Sequence, residues 1–148
     1  MNSNLSYQKI KNEALQNYWG FNYFRDSQEE IIDTIVSGKD TMVLLPTGGG
    51  KSLCYQLPAI LLEGTCLVVS PLLALMKDQV IQLKNKGIEA EYLSSELDDA
   101  TAEIIYDNCK EGITKILYIS PERLTNQQFL KNIDNIEISF IAVDEAHC

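Results

Sequence analysis

The sequence predicts an α/β fold with a mostly parallel, doubly wound sheet. Three observations predict it: short apolar, β-rich runs recur along the chain, stretches of helical periodicity separate them, and two runs end in residues suited to phosphate chemistry. Strands are expected at about residues 41–45, 65–70, 89–93, 115–119 and 140–144. Helices are expected between them, near residues 51–62, 73–86, 99–110 and 127–133. Strands joined through helices pair in parallel by right-handed crossovers. Ahead of the first strand, an opening helix near residues 5–18 leads into an aromatic loop. Ser27-x-x-Glu30 then reads as a capping box for a helix ending near Gly38. Pro58 falls inside the helix at 51–62 and removes a backbone donor, so a kink is expected there.

The chain has 148 residues and 45% hydrophobic content, enough for one core and one domain. No low-complexity linker or repeat divides it. The N-terminus lacks a basic region followed by an apolar one, and Glu63, Gly64 and Pro71 interrupt the longest apolar stretch. Neither export nor membrane spanning is supported, and the expected location is the cytoplasm. Cys54, Cys66, Cys109 and Cys148 form no C-x-x-C pair, so reduced, mostly buried thiols are expected, with no structural metal. A net charge of −9 argues against a domain that coats polyanions, although Lys77, Lys84 and Lys86 are available as a local basic groove.

The most informative stretch is Pro46-Thr47-Gly48-Gly49-Gly50-Lys51-Ser52. Consecutive glycines let backbone N–H groups turn inward around a phosphate, while Lys51 supplies a point charge and Ser52 a Mg²⁺ ligand. A strand before and a helix after complete a nucleotide-binding loop, with the helix N-terminus favouring the anion. A glycine-rich turn with a solvated lysine is the plain alternative, and the strand-loop-helix setting argues against it. Leu45 stands where the general pattern has Gly or Ala.

The run Phe140-Ile141-Ala142-Val143 delivers Asp144-Glu145-Ala146-His147 at its tip, a Walker B strand with a DEAH box. Ligands of open α/β sheets gather at the carboxyl ends of strands, where distant segments meet. Asp144 suits the Mg²⁺ that bridges the terminal phosphates. Glu145 suits orienting or deprotonating the attacking water. A lone histidine is usually structural or solvated, but His147, two residues past an acidic pair at a strand end, stands where it can couple the γ-phosphate to another part of the protein.

Further stretches make the chain resemble the RecQ family of DNA helicases. Trp19-Gly20-Phe21-Asn22-Tyr23-Phe24-Arg25-Asp26-Ser27-Gln28 is similar to that family's motif 0, and the segment from Leu45 to Gln56 to its motif I. Val69-Ser70-Pro71-Leu72-Leu73-Ala74-Leu75-Met76-Lys77-Asp78-Gln79-Val80 resembles motif Ia. Tyr118-Ile119-Ser120-Pro121-Glu122-Arg123-Leu124 resembles the segment before motif II, which Asp144 to Cys148 matches. A glutamine amide offers a donor and an acceptor and can pair with adenine N6 and N7, a role open to Gln28. By resemblance Phe21 stacks on the base and Arg25 packs beside it. The plainer reading is a surface glutamine and core aromatics. Asp26-Ser27 departs from the Pro-Gly common in the family. At motif Ia, backbone N–H groups and the Ser70 hydroxyl are available to a nucleic-acid phosphate. Lys77 reads either as a phosphate contact or as an ordinary helix lysine, and Glu122-Arg123 as a surface pair or as neighbours of a DNA track.

The resemblance implies a RecA-like P-loop domain truncated after the Walker B strand. Residues 1–38 then hold the N-terminal helices and the adenine-reading motif 0, and residues 39–148 part of the first ATP-binding domain. It implies ATP and Mg²⁺ as cofactors and DNA as partner, single-stranded and at duplex junctions, with low sequence specificity and no membrane. The expected activity is ATP-dependent 3′–5′ translocation on single-stranded DNA with duplex unwinding. The remaining helicase domains, including a second RecA-like domain with an arginine finger, are expected to be absent from this chain. So is a motif III strand, whose absence leaves a gap or an unpaired edge in mid-sheet. These residues alone are therefore expected to be inactive as a helicase. A nucleotide-binding module without motor activity is the alternative, and a P-loop ATPase that does no nucleic-acid work is a third class.

Overall fold

The computed structural model describes residues 2–25, 27–41 and 50–144. The first predicted strand, except Thr41, lies outside these residues, as do Thr47, Gly48, Gly49, Glu145, His147 and Cys148. The chain forms two compact units, residues 1–62 and 63–148.

The first unit is helical. Helix α1 spans Asn2–Ala14 and continues as one wide π-helical turn, Leu15–Trp19, ended by Gly20. Helix α2 spans Gln28–Val36 and helix α3 Lys51–Leu61. Ala14 and Leu15, Ile32 of α2, and Leu53 and Leu57 of α3 form one buried cluster, flanked by Tyr18, Trp19 and Phe24. Positions 7, 11, 14, 15 and 18 keep one stripe inward, at the spacing that an apolar helix face requires. Pro58 lies within α3, and the residues on both sides of it remain helical. The capping box does not form. Ser27 sits at ψ 5°, outside the extended region that an N-cap side chain needs, and makes no capping bond.

The second unit is a parallel sheet. Strands β1 (Thr65–Val69), β2 (Ala90–Leu93), β3 (Ile116–Ile119) and β4 (Ile138–Val143) lie in the order β2-β3-β1-β4. All three pairings are parallel, with Cys66 opposite Ile116, Ala90 opposite Ile116, and Val69 opposite Val143. Helices α4 (Leu73–Asn85), α5 (Asp99–Lys110) and α6 (Gln127–Ile133) connect them, with a 3₁₀ turn at Pro121–Thr125 before α6. Leu67, Val69, Leu93, Leu117 and Ile119 face α5 and α6 through Ala102, Ile105, Tyr106 and Phe129. By alternation Cys66, Val68, Ile116 and Tyr118 point the other way and are buried too, as befits a parallel sheet covered on both faces. Asp98 and Asn126 cap α5 and α6 by accepting from the amides of Thr101 and Phe129. The sheet therefore has the predicted class and order of elements. Strand β4 begins two residues before its predicted start, with Ile138 opposite Thr65, and its pairing with β1 shifts register between Thr65 and Leu67. Among the described residues β4 is an edge strand, with Ile141 61% and Val143 62% exposed.

Candidate nucleotide-binding site

In the first unit, Gly50 ends the glycine run and starts α3. It adopts φ +77°, the left-handed region that glycine enters without strain. Lys51 and Ser52 then occupy the first helical turn, where the positive end of the helix dipole attracts an anion.

Motif 0 meets this turn through Gln28. Its side chain is 4% exposed. The Nε2 group donates to the Gly50 carbonyl at 3.2 Å, and Oε1 accepts from the Arg25 amide at 2.8 Å. The glutamine is thus neither on the helix surface nor open to solvent: both halves of its amide are engaged by backbone. A Cβ on Gly50 would stand 2.2 Å from Gln28 Nε2 and 3.3 Å from Arg25 Nη2, so the turn and the motif 0 side chains pack at closest approach only because position 50 is glycine. Phe21, expected to stack on a base, is exposed, and so is Arg25. Phe24 is half-buried against the core of the first unit. Cys54, one turn into α3, is buried, and burial pushes its thiol up to about 11.

In the second unit, Asp144 continues the β4 ladder one step past the strand. Its amide donates to the Val69 carbonyl at 2.9 Å, which fixes the residue at the carboxyl edge of the sheet, where α/β folds bind ligands.

Several sequence expectations are corrected. Ser70 is buried, and its hydroxyl accepts from the Leu72 amide, closing the turn into α4 rather than facing a phosphate. Lys77 pairs with Glu96 at 3.4 Å and Lys84 with Glu91 at 3.0 Å, so these two lysines do not make an uncompensated basic groove. Glu122-Arg123 is not a surface pair. Arg123 is 5% exposed and donates through Nη2 to the Ser94 carbonyl at 2.9 Å, tying the β2–α5 loop to the 3₁₀ turn. Ser120-Pro121 carried a signal for the turn itself, since proline is favoured at the first helical position, but not for the burial of Arg123. Beside Arg123, burial raises the Tyr106 hydroxyl, an effect that the guanidinium charge partly offsets. Lys11, which composition alone gave no reason to select, is fully buried.

Comparison with known proteins decides the family. The family model described as DEAD/DEAH box helicase matches residues 25–148. The chain belongs to the DEAD/DEAH box helicase family. Within this helicase family it is similar to ATP-dependent DNA helicase RecQ of Pasteurella multocida, 46% identical over 92% of this chain and 22% of that protein. It is 44% identical to RecQ of Bacillus subtilis over 90% of this chain and 23% of that protein. ATP-dependent DNA helicase Q-like 5 of Arabidopsis thaliana is 47% identical over 88% of this chain and 14% of its own length. The chain thus spans less than a quarter of each of these helicases.

Proposed function

We propose that the chain is the ATP-binding portion of an ATP-dependent helicase that moves 3′ to 5′ on single-stranded DNA and separates duplexes. The observation that carries this reading is the left-handed Gly50 leading directly into a helix whose first residues are Lys51 and Ser52, within a sequence so close to named RecQ helicases. In this reading the backbone of Thr47, Gly48, Gly49 and Gly50 wraps the phosphates, and Lys51 stabilises charge on the transferred group. Ser52 and Asp144 are hard oxygen donors of the kind Mg²⁺ takes, one or two from protein and the rest from phosphate and water. Bound Mg²⁺ would neutralise charge on the phosphates. Glu145 orients the attacking water and His147 links the γ-phosphate to the DNA-moving parts. Phe21, Arg25 and Gln28 recognise adenine, which requires the Gln28 amide to leave Gly50 and Arg25. Residues 1–148 assayed by themselves should bind nucleotide without separating strands, since none of them supplies the arginine that related ATPases bring in from a second domain.

The test is ATP turnover by the protein that carries this sequence, with and without single-stranded DNA. Lys51→Ala should lose two to three decades in rate, about 3–4 kcal/mol of transition-state stabilisation. Turnover indifferent to both DNA and the substitution would refute the reading.

A further inference from the structure

Lys11 is a charged residue with no solvent exposure, an expensive placement that must be compensated. Its ammonium lies 2.8 Å from Asp33 Oδ1 and 2.8 Å from Glu29 Oε2. The Tyr7 hydroxyl donates to the same Asp33 oxygen at 2.6 Å, and burial together with that bond raises the Tyr7 pKa. The ammonium also stands 4.9 Å from the centroid of the Tyr7 ring and 5.8 Å from that of Phe24. One side chain of α1 thus holds two carboxylates of α2 and an aromatic ring of the loop before it.

The position of those carboxylates gives the cluster its meaning. Glu29 and Asp33 are four apart and share one face of α2, while Gln28 and Ile32 are four apart and share the buried face next to it. Adjacent residues differ by about 100° around a helix, so fixing the Glu29–Asp33 face fixes the direction in which Gln28 points. Phe24 is fixed at the other end of the same short segment. Arg25 and Gln28, which bond each other, lie between the two anchors.

We propose that Lys11 is a positioning residue for base recognition: it sets the rotation of α2 and the seat of Phe24, and through them the aim of the Gln28 amide. The proposal rests on the nucleotide-binding reading above and adds to it a residue outside every motif that carries that reading.

The experiment measures binding of ATP, GTP and inorganic tripolyphosphate to the full chain and to Lys11→Met, which keeps most of the unbranched side chain and removes its charge. Lys11→Met should weaken ATP about tenfold and bring the ATP/GTP preference close to one, with tripolyphosphate changed less than twofold. Lys11→Arg should restore most of the preference. Ala14→Gly, which loosens the same helix while leaving Lys11 in place, should lower the melting temperature without moving the ratio. An unchanged ATP/GTP ratio in Lys11→Met overturns the positioning role. So does a parallel loss for all three ligands, or a ratio that Ala14→Gly moves equally. Failure of the nucleotide-binding reading looks different: the unsubstituted chain then binds neither ATP nor tripolyphosphate, and the positioning role falls with it.

Discussion

Removing the side-chain amide of Gln28 takes away two internal hydrogen bonds as well as any base contact. Each such bond contributes about 1 kcal/mol net, and the Gly50 carbonyl and Arg25 amide would be left to find water. Gln28→Ala should therefore lower stability by about 1–2 kcal/mol and reduce ATP over GTP discrimination by about 1–3 kcal/mol, the scale of a two-pronged base contact. Thermal unfolding and competition binding read the two effects separately, and an unchanged nucleotide ratio would leave Gln28 a purely structural bridge. Sequence singled out Gln28 because its chemistry and its neighbours resemble a known motif. It did not reveal the burial of Lys11 or Arg123, because long charged side chains are ordinarily at the surface and only the folded chain shows which carboxylates or carbonyls surround them.

At the level of elements, the strands and helices of the second unit were legible because apolar runs and helical periodicity alternate cleanly there. The start of α2 was legible at Ser27, but its capping bond was not, since a capping box depends on the backbone angle of its serine, and Ser27 has the wrong one. The entry to β1 shows the same dependence on backbone. Gly64 takes φ +93°, and a Cβ there would stand 2.6 Å from the Glu137 carbonyl oxygen, the group that accepts from the Thr65 amide. Gly64→Ala combines a left-handed strain of about 1–2 kcal/mol with a backbone clash, so the sheet must shift to admit it. A loss of at least that size is expected in denaturant unfolding of the chain, and a neutral result would show that the β1–β4 junction relaxes freely.

For the molecule as a whole, buried thiols couple stability to alkaline pH. Burial raises the pKa of Cys54 and Cys109 to about 11 from an ordinary 9.0, and raises Cys66 further. The folded chain holds these protons more tightly than the unfolded chain. Their contribution is therefore complete below about pH 9 and is lost as the pH rises towards 11. Denaturant midpoints measured from pH 7 to 11 should be level at first and then fall, and Cys66→Ala should make the fall shallower. The order of the sheet has a consequence for synthesis. Strand β1 lies between β3 and β4, and its outer partner runs from Ile138 to Val143. A ribosome adding roughly 5–20 residues per second needs several seconds to deliver that partner after β1 has emerged. During that interval an apolar strand offers unpaired N–H and C=O groups to any neighbouring nascent chain, so crowded polysomes and slow translation should favour aggregation over folding.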